Sequence, residues 1–216
     1  ALVLAYANTV DFTPAQKRVL AISALLHDVG KTRIDPAILK AERQLTDDEF
    51  KSMQRHTILG HDILERCRFA ESDIKKVALQ HHEKMDGSGY PNRLRGDQIH
   101  RLAQIVGIAD IYDAMTSDRP YRRALPPSEA LEYLMGVAGR HFDHEIISAF
   151  LRKVNPYPVG SLVKLNTGDV AVVDHVHPQL PLRPKIRLIK YEGPQMYYVE
   201  KDLQKDWNLV IQGIHY

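Results

Sequence analysis

The stretch His27-Asp28-Val29-Gly30-Lys31 sets an imidazole beside a carboxylate where an apolar helical pattern stops. Upstream, Thr13-Pro14 reads as an N-cap followed by a proline at the first helical position, and Leu20, Ala24 and His27 then share one face. Adjacent imidazole and carboxylate groups suit a divalent cation, and a carboxylate has two oxygens with which to bridge two of them. The glycine would let such an ion approach closely. Alone, a His-Asp pair at a helix end is more often hydrogen-bonded than metal-bound, so the reading depends on what else the chain supplies.

Other donors are available. The capping box Thr46-x-x-Glu49 predicts a long helix to about Cys67, with His56 mid-helix and small Gly60 one turn further along the same face. His81-His82 close another helical stretch; neighbouring helical residues point about 100° apart, which suits two different metals better than one. Asp110 lies in the apolar run Ile105 to Ile111, where a buried carboxylate is costly unless it is salt-bridged, capping or metal-bound. His61, His100, His141, His144, His175, His177 and His215 show no comparable arrangement, although His61 is near His56. Ligands of nitrogen and oxygen with a bridging carboxylate favour iron or manganese over structural zinc.

Phosphate-handling groups cluster around these donors. The Lys31 ammonium can reach a metal-bound phosphate, or simply favour the helix C-terminus. Asp113 leads to Arg119-Pro120-Tyr121-Arg122-Arg123; guanidinium groups match phosphate oxygens, the alternative being a solvated helix end. The loop Asp86-Gly87-Ser88-Gly89-Tyr90-Pro91 permits close backbone approach and holds an aromatic on a constrained turn. It is not a P-loop, and its alternative is a plain connection with a Tyr packed beneath it.

Composition narrows the classes. The chain has 216 residues, 44% hydrophobic and 26% charged, with a net charge of +2. That balance gives no general field for nucleic acid or an anionic membrane, so neither DNA binding nor direct membrane contact is expected. The single Cys67 excludes an internal disulfide and a Cys-rich zinc module, and fits a reducing, cytoplasmic compartment. No apolar run approaches the roughly 18–20 residues of a membrane span, and the opening residues lack a signal peptide's basic region and cleavage site. The first residue is not Met, and we expect the native chain to begin further upstream.

Residues 1–155 read as helices: from Pro14, from Thr46, and over Ser72–Glu83, Asp97–Thr116, Pro127–Ala138 and Asp143–Val154. After Asn155-Pro156 the pattern changes to short β-branched runs at Leu162–Leu165, Val170–Val173, Ile186–Ile189 and Tyr197–Val199. Asn166-Thr167-Gly168-Asp169 has hairpin-turn chemistry. The expected fold is mainly α, with residues 156–216 a small C-terminal β appendage.

Taken together, HDVGK at 27–31, His56, HHEKMDGSGYP at 81–91 and IADIYDAMTSDRPYR at 108–122 resemble the HD-GYP family of metal-dependent phosphohydrolases. The resemblance implies an HD-type helical bundle that hydrolyses cyclic di-GMP to linear pGpG or GMP. It implies two or three divalent metals, iron foremost and manganese next, held by His27, Asp28, His56, His81, His82 and Asp110, with Asp28 bridging. Lys31 would act with Asp28 at the scissile phosphate. Asp113, Arg119 and Arg122 would contact substrate, and Gly89, Tyr90 and Pro91 would line its pocket. It further implies a diguanylate cyclase as partner at the GYP loop, and an upstream sensory or receiver domain. The family carries another His ligand, and sometimes a Glu, upstream of the HD pair, yet no His or Glu precedes His27. That departure motivates competing expectations: a cyclic-dinucleotide sensor or cyclase-docking module with weak turnover. Cyclic GMP-AMP is an alternative substrate.

Overall fold

The computed structural model describes residues 2–8, 10–118, 123–154, 156–177 and 180–215. They form two compact units, one of Ala1–Leu125 with Tyr133–Ala149, the other of Pro126–Glu132 with Phe150–Tyr216. The chain thus passes from one unit to the other after Leu125, after Glu132 and after Ala149.

Helices of the first unit are α1 (Leu2–Ala7), α2 (Pro14–Leu26), α3 (Pro36–Leu39), α4 (Asp47–Gln54), α5 (His56–Glu65), α6 (Ser72–Gln80) and α7 (Arg101–Thr116). Helices α8 (Pro127–Gly136) and α9 (His144–Leu151) follow. Thr13 and Thr46 cap α2 and α4 as their sequences predict, each hydroxyl accepting the backbone N–H three residues on while that residue's side chain returns the bond. Helix α7 is buried without interruption from Leu102 to Ala109, so it is apolar on every side and forms the unit's centre. Leu20, Leu64, Ile74, Val77, Ile105 and Ile108 fill this core, each fully buried side chain contributing about 1.5–3 kcal/mol.

The expected long helix from Thr46 to Cys67 is two. Arg55 caps α4, and His56 opens α5 rather than sitting mid-helix. Between α2 and α3, the 3₁₀ turn Val29–Arg33 packs on α5. A Cβ at Gly30 would lie 1.9 Å from the His56 carbonyl oxygen and 2.4 Å from the Gly60 nitrogen. The glycine pair therefore serves a backbone-to-backbone crossing, not the approach of an ion or the room for a cluster that their positions in the sequence suggest.

In the second unit, β1 (Leu162–Leu165), β2 (Val170–His175), β3 (Lys185–Glu192), β4 (Gln195–Asp202) and β5 (Ile211–Ile214) form one antiparallel sheet ordered β4-β3-β2-β1-β5. The turn at 166–169 joins β1 to β2, with Gly168 at φ 85°. Alternation puts Val163, Leu165, Ala171, Val173, Ile186 and Leu188 into a core closed by Tyr157, Leu203 and Leu209. Strand β5 has no counterpart among the expected runs, because Gln212 and Gly213 interrupt its β-branched pattern.

Candidate metal centre

Three helix ends deliver the imidazoles. His27 caps α2, His81 caps α6, and His56 follows the last turn of α4. Each ring donates its Nδ1–H to the carbonyl of the residue three positions earlier: His27 to Ala24 at 2.8 Å, His56 to Met53 at 2.7 Å, His81 to Ala78 at 3.0 Å. Such bonds use carbonyls that a helix end leaves without intrahelical partners, and in the neutral ring they leave the lone pair on Nε2.

Asp28 stands between these rings. Its Oδ1 is 3.3 Å from His56 Nε2 and 3.8 Å from His81 Nε2, while its Oδ2 is 3.3 Å from His27 Nε2 and 2.5 Å from Lys31 Nζ. His27 Nε2 is also 3.8 Å from Asp110 Oδ1. Two donor groups result, Asp28-His56-His81-His82 and His27-Asp28-Asp110, with the ligand atoms of each group within 4.8 Å of one another. Asp28 belongs to both. His82 joins the same group as His81 instead of diverging from it, because α6 ends at Gln80; their ring centroids are 4.2 Å apart.

Asp28 Oδ1 and His27 Nε2 are buried without a hydrogen-bond partner among the described residues. Burial works against the His27 imidazolium, but the Asp110 and Asp28 carboxylates outweigh it and raise the ring's pKa to about 10. Burial would likewise raise Asp28, yet His27 and Lys31 hold it well below the usual carboxylate range. Burial lowers His56, His81 and His82, keeping those rings neutral. Neutral imidazoles at His56, His81 and His82 and ionised carboxylates with inward lone pairs are the donor set of a divalent cation, which would displace the proton on His27, and the residues fit one. The cluster is a candidate site for a divalent metal.

A cavity of about 660 Å³ adjoins it, lined among others by Lys31, Phe50, Met53, His56, His82 and Tyr90. The Tyr90 ring lies on His82 at 4.8 Å between centroids and meets Phe50 edge-on at 6.4 Å. Gly89 and Pro91 instead line a second cavity. A Cβ at Gly89 would lie within 2.5 Å of Lys84 N, Glu83 Cα and the His82 carbonyl oxygen, so this loop folds back directly on the backbone of residues 82–84. Asp113 is exposed on α7, outside both donor groups, and Arg119 and Arg122 lie outside the described residues.

Sequence reading missed Glu83. It is 1% exposed, and its carboxylate accepts the backbone N–H groups of Asn92 at 2.7 Å and Leu94 at 3.0 Å. A charged residue directly after His81-His82 was its only signal. His61 faces Asp62 and Glu65 on α5, and His100 and His141 pair with Asp73 and Asp86, all away from the centre.

Comparison with known proteins agrees with this arrangement. The sequence profile described as "HD domain" matches residues 1–146, and one described as "KOW domain associated with HD domain" matches residues 162–214. The chain is 38% identical over 188 residues to the cyclic di-GMP phosphodiesterase PA4108 of Pseudomonas aeruginosa, covering 87% of this chain and 45% of that protein. It is 41% identical over 127 residues to the 3′3′-cGAMP-specific phosphodiesterase 2 of Vibrio cholerae, covering 58% of this chain and 24% of the relative. The chain therefore spans less than half the length of these relatives. Among solved structures, Bd1817, an HDG"Y"P protein from Bdellovibrio bacteriovorus, shares the fold at a TM-score of 0.57 and 23% identity, over 69% of this chain and 47% of that one. No helix among the described residues is long and apolar enough to cross a membrane. With its helical unit matched as a whole and its His-Asp cluster and GYP loop in place, this chain belongs to the HD domain family, in its HD-GYP group.

Proposed function

We propose that the chain hydrolyses a cyclic dinucleotide, cyclic di-GMP, at a metal centre of two or three ions, yielding linear pGpG and then GMP. The observation that carries this reading is Asp28, whose two oxygens face separate imidazoles beside a cavity large enough for a nucleotide. Iron or manganese, held by His27, Asp28, His56, His81, His82 and Asp110, would supply Lewis acidity at phosphoryl oxygen and lower the pKa of water there. Around it the chain's own groups bind and orient. Lys31, anchored on Asp28 Oδ2, offers its ammonium to the charge that gathers on the phosphate. Tyr90 and Phe50 form an aromatic wall for a base, and burial raises the Tyr90 pKa so that its hydroxyl stays protonated. Asp113, Arg119 and Arg122 contact the substrate beyond the metals, as the family motif implies.

We assign catalysis to residues 1–155 and treat 156–216 as an appendage; an upstream sensory or receiver domain, docking of a diguanylate cyclase and a cytoplasmic location belong to the same reading. Cyclic GMP-AMP is the second candidate substrate, since a relative at 41% identity is named for it. The deciding experiment is anaerobic incubation of the full-length protein, loaded with Fe(II) or Mn(II), with each cyclic dinucleotide, followed by chromatography. Linear dinucleotide or GMP that a chelator abolishes is the expected result. Binding without product would overturn hydrolysis in favour of a sensor or docking module.

A further inference from the structure

The second cavity, about 420 Å³, is lined by Lys51, Gln54, Arg55, Ile58 and Arg93 together with the loop Gly87–Pro91. Among its described lining residues three are cationic and none is acidic. Among the described residues Lys51 pairs only with the exposed Asp48, at 3.0 Å, a pair weak in water. Among the described residues, neither Arg55 nor Arg93 has a carboxylate partner. The neighbouring Asp86 is occupied: its carboxylate accepts the Ser88 N–H and hydroxyl at 2.9 and 2.6 Å, and His141 stands 3.5 Å away.

Arg93 is also held in place. Its φ is 54°, a left-handed conformation that few residues other than glycine, Asn or Asp adopt. The two backbone N–H groups that flank it, those of Asn92 and Leu94, are both gripped by buried Glu83. A buried carboxylate thus fixes the backbone from which one free guanidinium projects, and ordering it beforehand lowers the entropy cost of binding. Two guanidiniums and an ammonium match a phosphate dianion, while Ile58 and Pro91 offer an apolar wall and Gln54 a hydrogen-bonding amide. The volume falls in the lower part of the range for small-ligand sites.

We propose that this cavity is a second, phosphate-binding site, which takes a phosphomonoester of mononucleotide size through Lys51, Arg55 and Arg93. It is separate from the metal-side cavity and independent of the hydrolytic reading. Tyr90 is the one lining residue the two cavities share, so an occupant of the second would touch a residue that also lines the first.

The test is calorimetric titration of 5′-GMP, guanosine and inorganic phosphate into the full chain loaded with Mn(II). R55A/R93N removes both guanidiniums, and Asn tolerates the left-handed backbone. This double variant should lose one GMP site, or bind there at least tenfold more weakly, with its metal content unchanged. L39A, on a residue that lines the other cavity alone, should retain that site, and guanosine should not occupy it. The proposal is overturned by unchanged GMP stoichiometry and affinity in R55A/R93N, by guanosine binding as tightly as GMP, by loss of the site in L39A, or by absence of saturable GMP binding. Should R55A/R93N lose metal or helical signal, K51Q/R93N takes its place under the same criteria.

Discussion

The Nε2 atoms of His56 and His81 face each other across 3.3 Å, while the Nδ1–H of each ring is committed to a backbone carbonyl. Two lone pairs thus converge in a buried space, and a cation between them turns repulsion into attraction. Chelation should therefore lower the thermal midpoint, and added Mn(II) or Fe(II) should restore it. A ligand that binds only the folded state stabilises by on the order of 4 kcal/mol at a thousand times its Kd. Scanning fluorimetry with and without chelator checks this, and an unchanged midpoint would contradict it.

Asp28 is the one side chain common to both donor groups. D28A should lose metal and turnover together, with turnover falling beyond the about 10–100-fold typical of losing an outer partner of a ligand. Metal analysis beside a hydrolysis assay reads both. Full metal content with retained turnover would remove Asp28 from the bridging role.

Gly30 and Gly60 should differ sharply when given a methyl group. At Gly30 the new carbon meets backbone at 1.9 Å, whereas at Gly60 its nearest neighbour is Gly30 N at 3.2 Å. Backbone cannot rotate aside, so G30A should cost about 3 kcal/mol or more, or about 6–12 °C in a chain of this size. G60A should cost clearly less. Thermal unfolding of both variants gives the order.

Removing Glu83 leaves the Asn92 and Leu94 N–H groups without their acceptor. Each buried donor left unsatisfied costs about 1–3 kcal/mol. E83A should destabilise more than E83Q, whose single carbonyl oxygen can still serve one of them. Hydrogen exchange at Asn92 and Leu94 should accelerate in the same order.

Acid should weaken the hold on α4 in a defined window. The Arg43 guanidinium, first, and the Thr46 N–H lower the Glu49 carboxyl from 4.5 to about 2. A carboxyl depressed in the folded state adds stability above its unfolded pKa, and that stability drains away as pH falls from about 4.5 to about 2. The wild type should thus exceed E49Q in thermal midpoint at neutral pH, with the gap closing through that window. A gap that does not change with pH would refute the linkage.

Much of the metal centre is legible in sequence because ligands must be imidazoles and carboxylates at helix ends, and HDVGK, HH and Asp110 in an apolar run announce that chemistry. The break at Arg55 is not legible, since α4 and α5 carry uninterrupted helix-forming residues and only packing of Gly30 against His56 bends the path. Glu83 escapes for a similar reason: its partners are backbone groups nine and eleven residues away, which no local periodicity reveals. Hairpin chemistry at 166–169 reads correctly because the turn is local, whereas β5 is found only through its pairing with β1.

The bonds from His27, His56 and His81 to carbonyls three residues earlier tether three ligands to three separate helix ends. Helix ends are where thermal fraying starts, so each unravelled turn frees a ring and takes a donor from the ion. The centre should behave as a logical AND over α2, α4 and α6, holding a cation only while all three last turns are wound. Release of the ion on warming should then track exchange of the amides in those turns as one event, making bound metal a reporter of local order 25 to 54 residues apart along the chain.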